Sequence, residues 1–98
     1  MAKKVILTQQ RPNTSVDWHN ATDEFKALKE SYVSAGKLDD QGGVLSDGDL
    51  IKTWTLVFTS DKDSGDFLNE AASLSYQTSR QDYNIDKGIS ENLDIQDV

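Results

Sequence analysis

The apolar positions of this chain change period several times, and each change marks an element. Val5-Ile6-Leu7-Thr8 is a short apolar and β-branched run that predicts a first strand. Arg11-Pro12-Asn13-Thr14-Ser15 breaks it, since proline has no N–H for a ladder and Asn, Thr and Ser favour turns and caps. Thr14, with Asp17 three residues on, reads as a helix N-cap. From there Trp18, Ala21, Phe25, Leu28 and Tyr32 recur at spacings of three and four, one face of an amphipathic helix. Asp23, Glu24, Lys26, Lys29 and Glu30 occupy its other faces, and Gly36 supplies a left-handed terminator.

The segment Leu38 to Leu45 supports two readings: a poor strand, or a loop in which only Val44-Leu45 pairs. Ser46-Asp47-Gly48-Asp49 is a tight turn. Leu50 to Thr59 is the clearest strand, with Leu50, Trp54, Leu56 and Phe58 on a core face and Ile51, Thr53, Thr55 and Val57 opposite. A polar break from Ser60 to Asp66 leads into a second helix carrying Phe67, Leu68, Ala71, Ala72, Leu74 and Tyr76. Tyr83 and Ile85 alternate as a last strand that Gly88 closes. Ile89 to Val98 mixes acids with Leu93, Ile95 and Val98, as an added edge strand or an arm that docks on a neighbour.

The order β-α-β-β-α-β is the ferredoxin-like α+β plan, a four-stranded antiparallel sheet with two helices on one face and here a C-terminal tail or extra edge strand. Residues 1–88 form one domain and 89–98 an arm. The helices leave one sheet face open, and Ile51 and Val57 would stand there in water. Pairing with a second copy would cover them, so Ile51, Val57, Ile89, Leu93, Ile95 and Val98 are the candidate interface of a homodimer or larger assembly.

Composition narrows the work such a domain could do. Ninety-eight residues hold one core. Seventeen acids against 10 bases give −7, which disfavours direct contact with nucleic-acid phosphates or anionic membrane surfaces. Without cysteine there is no thiolate nucleophile, disulfide or Cys-ligated metal. Val5-Ile6-Leu7 is too short for a signal peptide, so a cytoplasmic location is expected.

Candidate chemistry is sparse. His19, the single histidine, stands four residues before Asp23; two ligands do not make a metal site, and a surface pair accounts for them. Asp61 and Asp63 match the first and third positions of a calcium loop. Gly65, Asp66 and Ala72 then break the pattern, so helix capping is the better reading. Asp39, Asp40, Asp47 and Asp49 make an acidic, solvated loop. Arg11 to Ser15 could cradle an anion at a helix N-terminus, but the glycines for close approach are missing and capping explains these residues. Trp18, His19 and Trp54 would line any ligand pocket between helix and sheet, although the aromatics are first of all the core. No cofactor is implied.

Arg11-Pro-Asn-Thr-Ser-Val-Asp-Trp18, after the Lys-Lys-Val-Ile-Leu-Thr strand, resembles the start of small proteins of tailed marine bacteriophages, over about the first fifth of the chain. That resemblance implies a phage-encoded virion component or host modulator, acting in the virion or the host cytoplasm. The element order is also similar to dimeric ferredoxin-like barrels of the antibiotic-biosynthesis monooxygenase type, whose pockets use His, Asn or Trp. The leading expectation is a non-enzymatic structural or protein-binding module that assembles with itself or with other virion or host proteins. The alternatives are a small cofactor-independent monooxygenase-like or ligand-binding barrel, and an acidic nucleic-acid mimic that inhibits a host protein.

Overall fold

The computed structural model describes residues 2–98. Its elements are β1 (Lys3–Gln10), α1 (Asp23–Ser34), β2 (Leu38–Ser46), β3 (Ile51–Phe58), α2 (Asp61–Asn69), α3 (Ala71–Lys87) and β4 (Ser90–Asp97). The strands lie in the order β2-β3-β1-β4, every neighbouring pair antiparallel. This is the ferredoxin-like α+β architecture the element order implied, with three helices in place of two. Among the described residues no helix is long and apolar enough to cross a membrane.

Local chemistry explains where elements begin. α1 starts at Asp23, later than the apolar period suggests, because Thr22 is its cap. The Thr22 Oγ1 accepts the Phe25 N–H at 3.2 Å, and Asp23 and Glu24 occupy the first turn, where the helix dipole favours acids. Trp18 and His19 therefore precede the helix, and His19 and Asp23 do not share a helix face. Gly36, at φ +73°, follows the helix as expected. β2 is paired throughout, with a bulge between Asp40 and Gly42 that Gly42 accommodates at φ +76°.

The second half departs furthest from expectation. Ser60 caps α2 by accepting the Asp63 N–H at 3.1 Å, and Asp61 and Asp63 lie in its first turn, as the capping reading required. Glu70, with extended backbone, separates α2 from α3. α3 then continues through Tyr83 and Ile85 to Lys87, so no strand forms there; Ile85 is solvent-exposed. The fourth strand is instead the presumed arm. β4 pairs with β1 from Gln10↔Ser90 to Lys3↔Asp97, as an edge strand of the one sheet.

Val5, Phe25, Leu38, Leu56, Phe58 and Phe67 form the core between the helices and the sheet. Ile89 is buried as well, so it cannot serve an interface as expected. Leu93 and Ile95 pair with Leu7 and Val5 on the helix side of the sheet and, like Val98, are exposed. Ile51 and Val57 do stand on the open face, half-buried, across from Gln10 and Lys4.

Candidate functional site

A cavity of about 220 Å³ lies between the helices and the sheet. Strand alternation supplies its floor: Val5, Leu7 and Gln9 from β1, Lys52, Trp54 and Leu56 from β3, and Leu93 from β4. Phe25, Lys26 and Lys29 of α1, Phe67 and Leu68 of α2, and Tyr76, Gln77 and Arg80 of α3 form the roof. His19 and Asn20 close one side. Of the sequence-predicted pocket residues, His19 and Trp54 line this space. Trp18 does not; its ring lies between Arg11, 4.7 Å away, and Lys52, 5.9 Å away.

The aromatic side chains are held in fixed attitudes. Phe25 stacks on Tyr76 with ring centres 3.9 Å apart and meets Phe67 edge-on at 5.5 Å. Trp54 donates its indole N–H to Asp40 Oδ1 at 3.0 Å. The same carboxylate accepts from Lys29 Nζ at 3.3 Å and from the Gly42 N–H at 3.0 Å. Asp40, expected only as part of a solvated acidic loop, is thus the clamp that orients Trp54 and Lys29.

His19 is positioned by α3. Its Nε2 lies 3.0 Å from Ser79 Oγ, and its ring sits 5.8 Å from Tyr76 and 5.3 Å from Tyr83. Tyr83 Oη donates to the Asp17 carbonyl at 2.6 Å, which ties the lead-in loop to the helix. Burial, aided by the nearby Arg80 cation, holds the imidazole pKa below its ordinary value and so favours the neutral ring. Its Nδ1 is buried and has no hydrogen-bond partner.

Arg80 is the one buried charged residue among the described residues, and Glu91 answers it, with Nε–Oε2 at 3.0 Å. Arg11 donates to the Asp49 carbonyl at 2.9 Å and to the Val16 carbonyl at 2.8 Å. It therefore organises two loops instead of clamping an anion, and no helix begins at Thr14.

Lys52, Gln77 and Arg80 escaped the sequence reading, and Lys29 and Tyr76 were placed on helices without a role in a site. The signal for Lys52 was there: it shares the parity of Trp54, Leu56 and Phe58, which puts a charge on the core face of the best strand.

No family model and no curated protein matches the chain. Solved structures do match. A Mycobacterium tuberculosis protein superposes with a TM-score of 0.63 at 7% identity, over 98% of this chain and 94% of that one. A candidate antibiotic biosynthesis monooxygenase from Nitrosomonas europaea gives 0.55 at 14% identity, over 98% and 89%. SnoaB, a cofactor-independent oxygenase from Streptomyces nogalater, gives 0.53 at 13%, over 99% and 92%. At these identities the likeness defines the fold. It also corrects the leading expectation of a phage-encoded, non-enzymatic structural module. The similar structures are bacterial proteins among which oxygenases recur, the presumed docking arm is β4, and the interior holds a lined cavity.

Proposed function

We propose that this chain binds a small, largely apolar molecule in the cavity and acts on it as a cofactor-independent oxygenase. The observation that carries this reading is the cavity itself: aromatic walls with a histidine among a few polar groups, the ordinary make-up of a ligand site. The oxygenases among the similar structures support it.

Oxygen chemistry without a cofactor draws its electrons from the substrate. The protein's tasks are then to hold an electron-rich molecule, take a proton from it and keep water away. His19, which lines the cavity and is held by Ser79, is the group this proposal assigns to accept that proton. Phe25, Tyr76 and Trp54 provide flat surfaces for a ring-shaped substrate.

1-Naphthol, with binding followed by calorimetry and dioxygen uptake by an oxygen electrode, tests the reading. Uptake that the wild type accelerates, and that His19→Gln abolishes while binding persists, is the expected result. Binding without uptake leaves a ligand-binding domain and removes the oxygenase. Absence of binding removes both.

The domain also pairs with a second copy through its open sheet face, in this proposal. Support comes from Ile51 and Val57, half-buried beside the threonines of β3. Light scattering should give a dimer mass, and Val57→Lys should halve it.

A further inference from the structure

The cavity is lined by four cationic side chains, Lys26, Lys29, Lys52 and Arg80, and by no carboxylate. Acids outnumber bases 17 to 10 in this chain, so the bias runs against its composition.

Three of the four cations are accounted for. Arg80 is paired with Glu91, and Lys29 with Asp40 at 3.3 Å. Lys26 is exposed and solvated. Lys52 is the exception. It is half-buried, and among the described residues no carboxylate lies within 4 Å of its ammonium.

Two aromatic rings flank it, and neutral Gln9 is its partner on β1. The ammonium lies 5.1 Å from the Trp54 ring centre and 5.9 Å from that of Trp18. Burial, and then the Lys29 cation, lower its pKa, so the site lacks a counter-charge. The Lys52 stem passes over Gly43 across the hairpin, where a Cβ would come within 2.9 Å of Lys52 Cε. A half-desolvated ammonium held in an apolar wall is unfavourable unless an anion joins it.

We propose that the ligand of this cavity is an anion, a ring-sized apolar body whose carboxylate or other negatively charged oxygen is held by the Lys52 ammonium. The proposal rests on the cavity being a ligand site, and it adds the charge that selects the ligand. A neutral molecule of the same shape would fill the aromatic walls and leave the ammonium unanswered.

Calorimetric titration with 2-naphthoate and with 2-naphthamide tests this, since the two probes share shape and differ in charge. The wild type at pH 7 and low salt should bind the carboxylate at least tenfold more tightly, and added salt should shrink that ratio. Lys52→Met keeps the apolar stem and should bring the two affinities together, with the amide still bound; Lys62→Met, on exposed α2, should change neither.

Equal affinity of the wild type for both probes overturns the proposal while the ligand site stands. A preference that survives in folded Lys52→Met overturns it as well. If neither probe binds the wild type, the ligand site fails and the charge selection with it. The wild-type comparison needs no variant to fold.

Discussion

Arg80 on α3 and Glu91 on β4 face each other as a fork on a carboxylate, with Nε–Oε2 at 3.0 Å and Nη2–Oε1 at 3.5 Å. Asn84, one turn further along α3, donates its amide to the same Oε2 at 2.8 Å. Two side chains of the longest helix thus converge on one residue of the edge strand and dock β4 against the helices. The Arg80 side chain is 8% exposed and that of Glu91 22%, so water screens the pair poorly.

Removing one partner should therefore cost more than removing both. Glu91→Leu leaves a buried guanidinium and the Asn84 amide unanswered, and should destabilise the fold by about 3 kcal/mol. Arg80→Met combined with Glu91→Leu should recover much of that loss. Urea unfolding checks this through a lower midpoint with unchanged slope. A double variant as weak as the single one would mean that packing, not the uncompensated charge, sets the cost.

Phe67 carries a different load. It is 1% exposed, and its ring meets Phe25 at 5.5 Å and Tyr32 and Phe58 each at 5.1 Å. Phe67→Ala opens a hole where α1 and α2 meet β3 and should cost about 4 kcal/mol. Total stability for a chain of this length is on the order of 5–15 kcal/mol, so thermal unfolding should begin tens of degrees earlier. Phe67→Leu, which keeps much of the volume, should lose less than half as much.

The pattern of the chain revealed the fold better than the site. β1, β3 and α1 were legible because most positions of one face are apolar at a constant period. β2 was obscured by Gly42 and Gly43, residues of low strand propensity that the bulge and the Lys52–Trp54 packing require. α3 was misread because Tyr83 and Ile85 alternate like a strand, while Ser73, Arg80 and Asn84, the side chains it buries, are polar. A helix that buries polar groups has no apolar stripe to announce it. The cavity was illegible for a similar reason. Its charged residues come from three elements, and only tertiary structure shows Lys29, Lys52 and Arg80 facing one space.

His19 should make stability depend on pH in a defined window. Its folded-state pKa lies below the unfolded value of about 6.5, so the unfolded chain takes up the proton first as pH falls. Its contribution is complete above about pH 6.5 and is lost progressively below it. The groups facing it, Ser79, Tyr76, Tyr83 and Arg80, include no carboxylate to stabilise an imidazolium. The unfolding midpoint of the wild type should drop between pH 7 and pH 5, and His19→Gln should flatten that part of the curve. Asp63 and Asp97, whose pKa values are lowered mainly by hydrogen bonds from Thr59 and Lys3, act in a separate window below about pH 4. An unchanged slope between pH 7 and pH 5 in His19→Gln would assign it to other groups.

Gly43 offers a way to move Lys52 without altering it. A Cβ built there would stand 2.9 Å from Lys52 Cε and 3.1 Å from Trp54 Cε3. Trp54 is anchored through its indole N–H to Asp40, whereas the lysine stem can rotate, so Lys52 yields. The backbone of Gly43 is not left-handed, and alanine suits a strand better than glycine by about 0.5–1 kcal/mol. That gain offsets part of the overpacking, and Gly43→Ala should stay within about 1 kcal/mol of the wild type. Its preference for 2-naphthoate over 2-naphthamide should nevertheless fall several-fold, because the ammonium is displaced while the aromatic walls remain. Retained preference in this variant would mean that the lysine reaches its ligand from more than one rotamer, and that Gly43 does not fix the place of the charge.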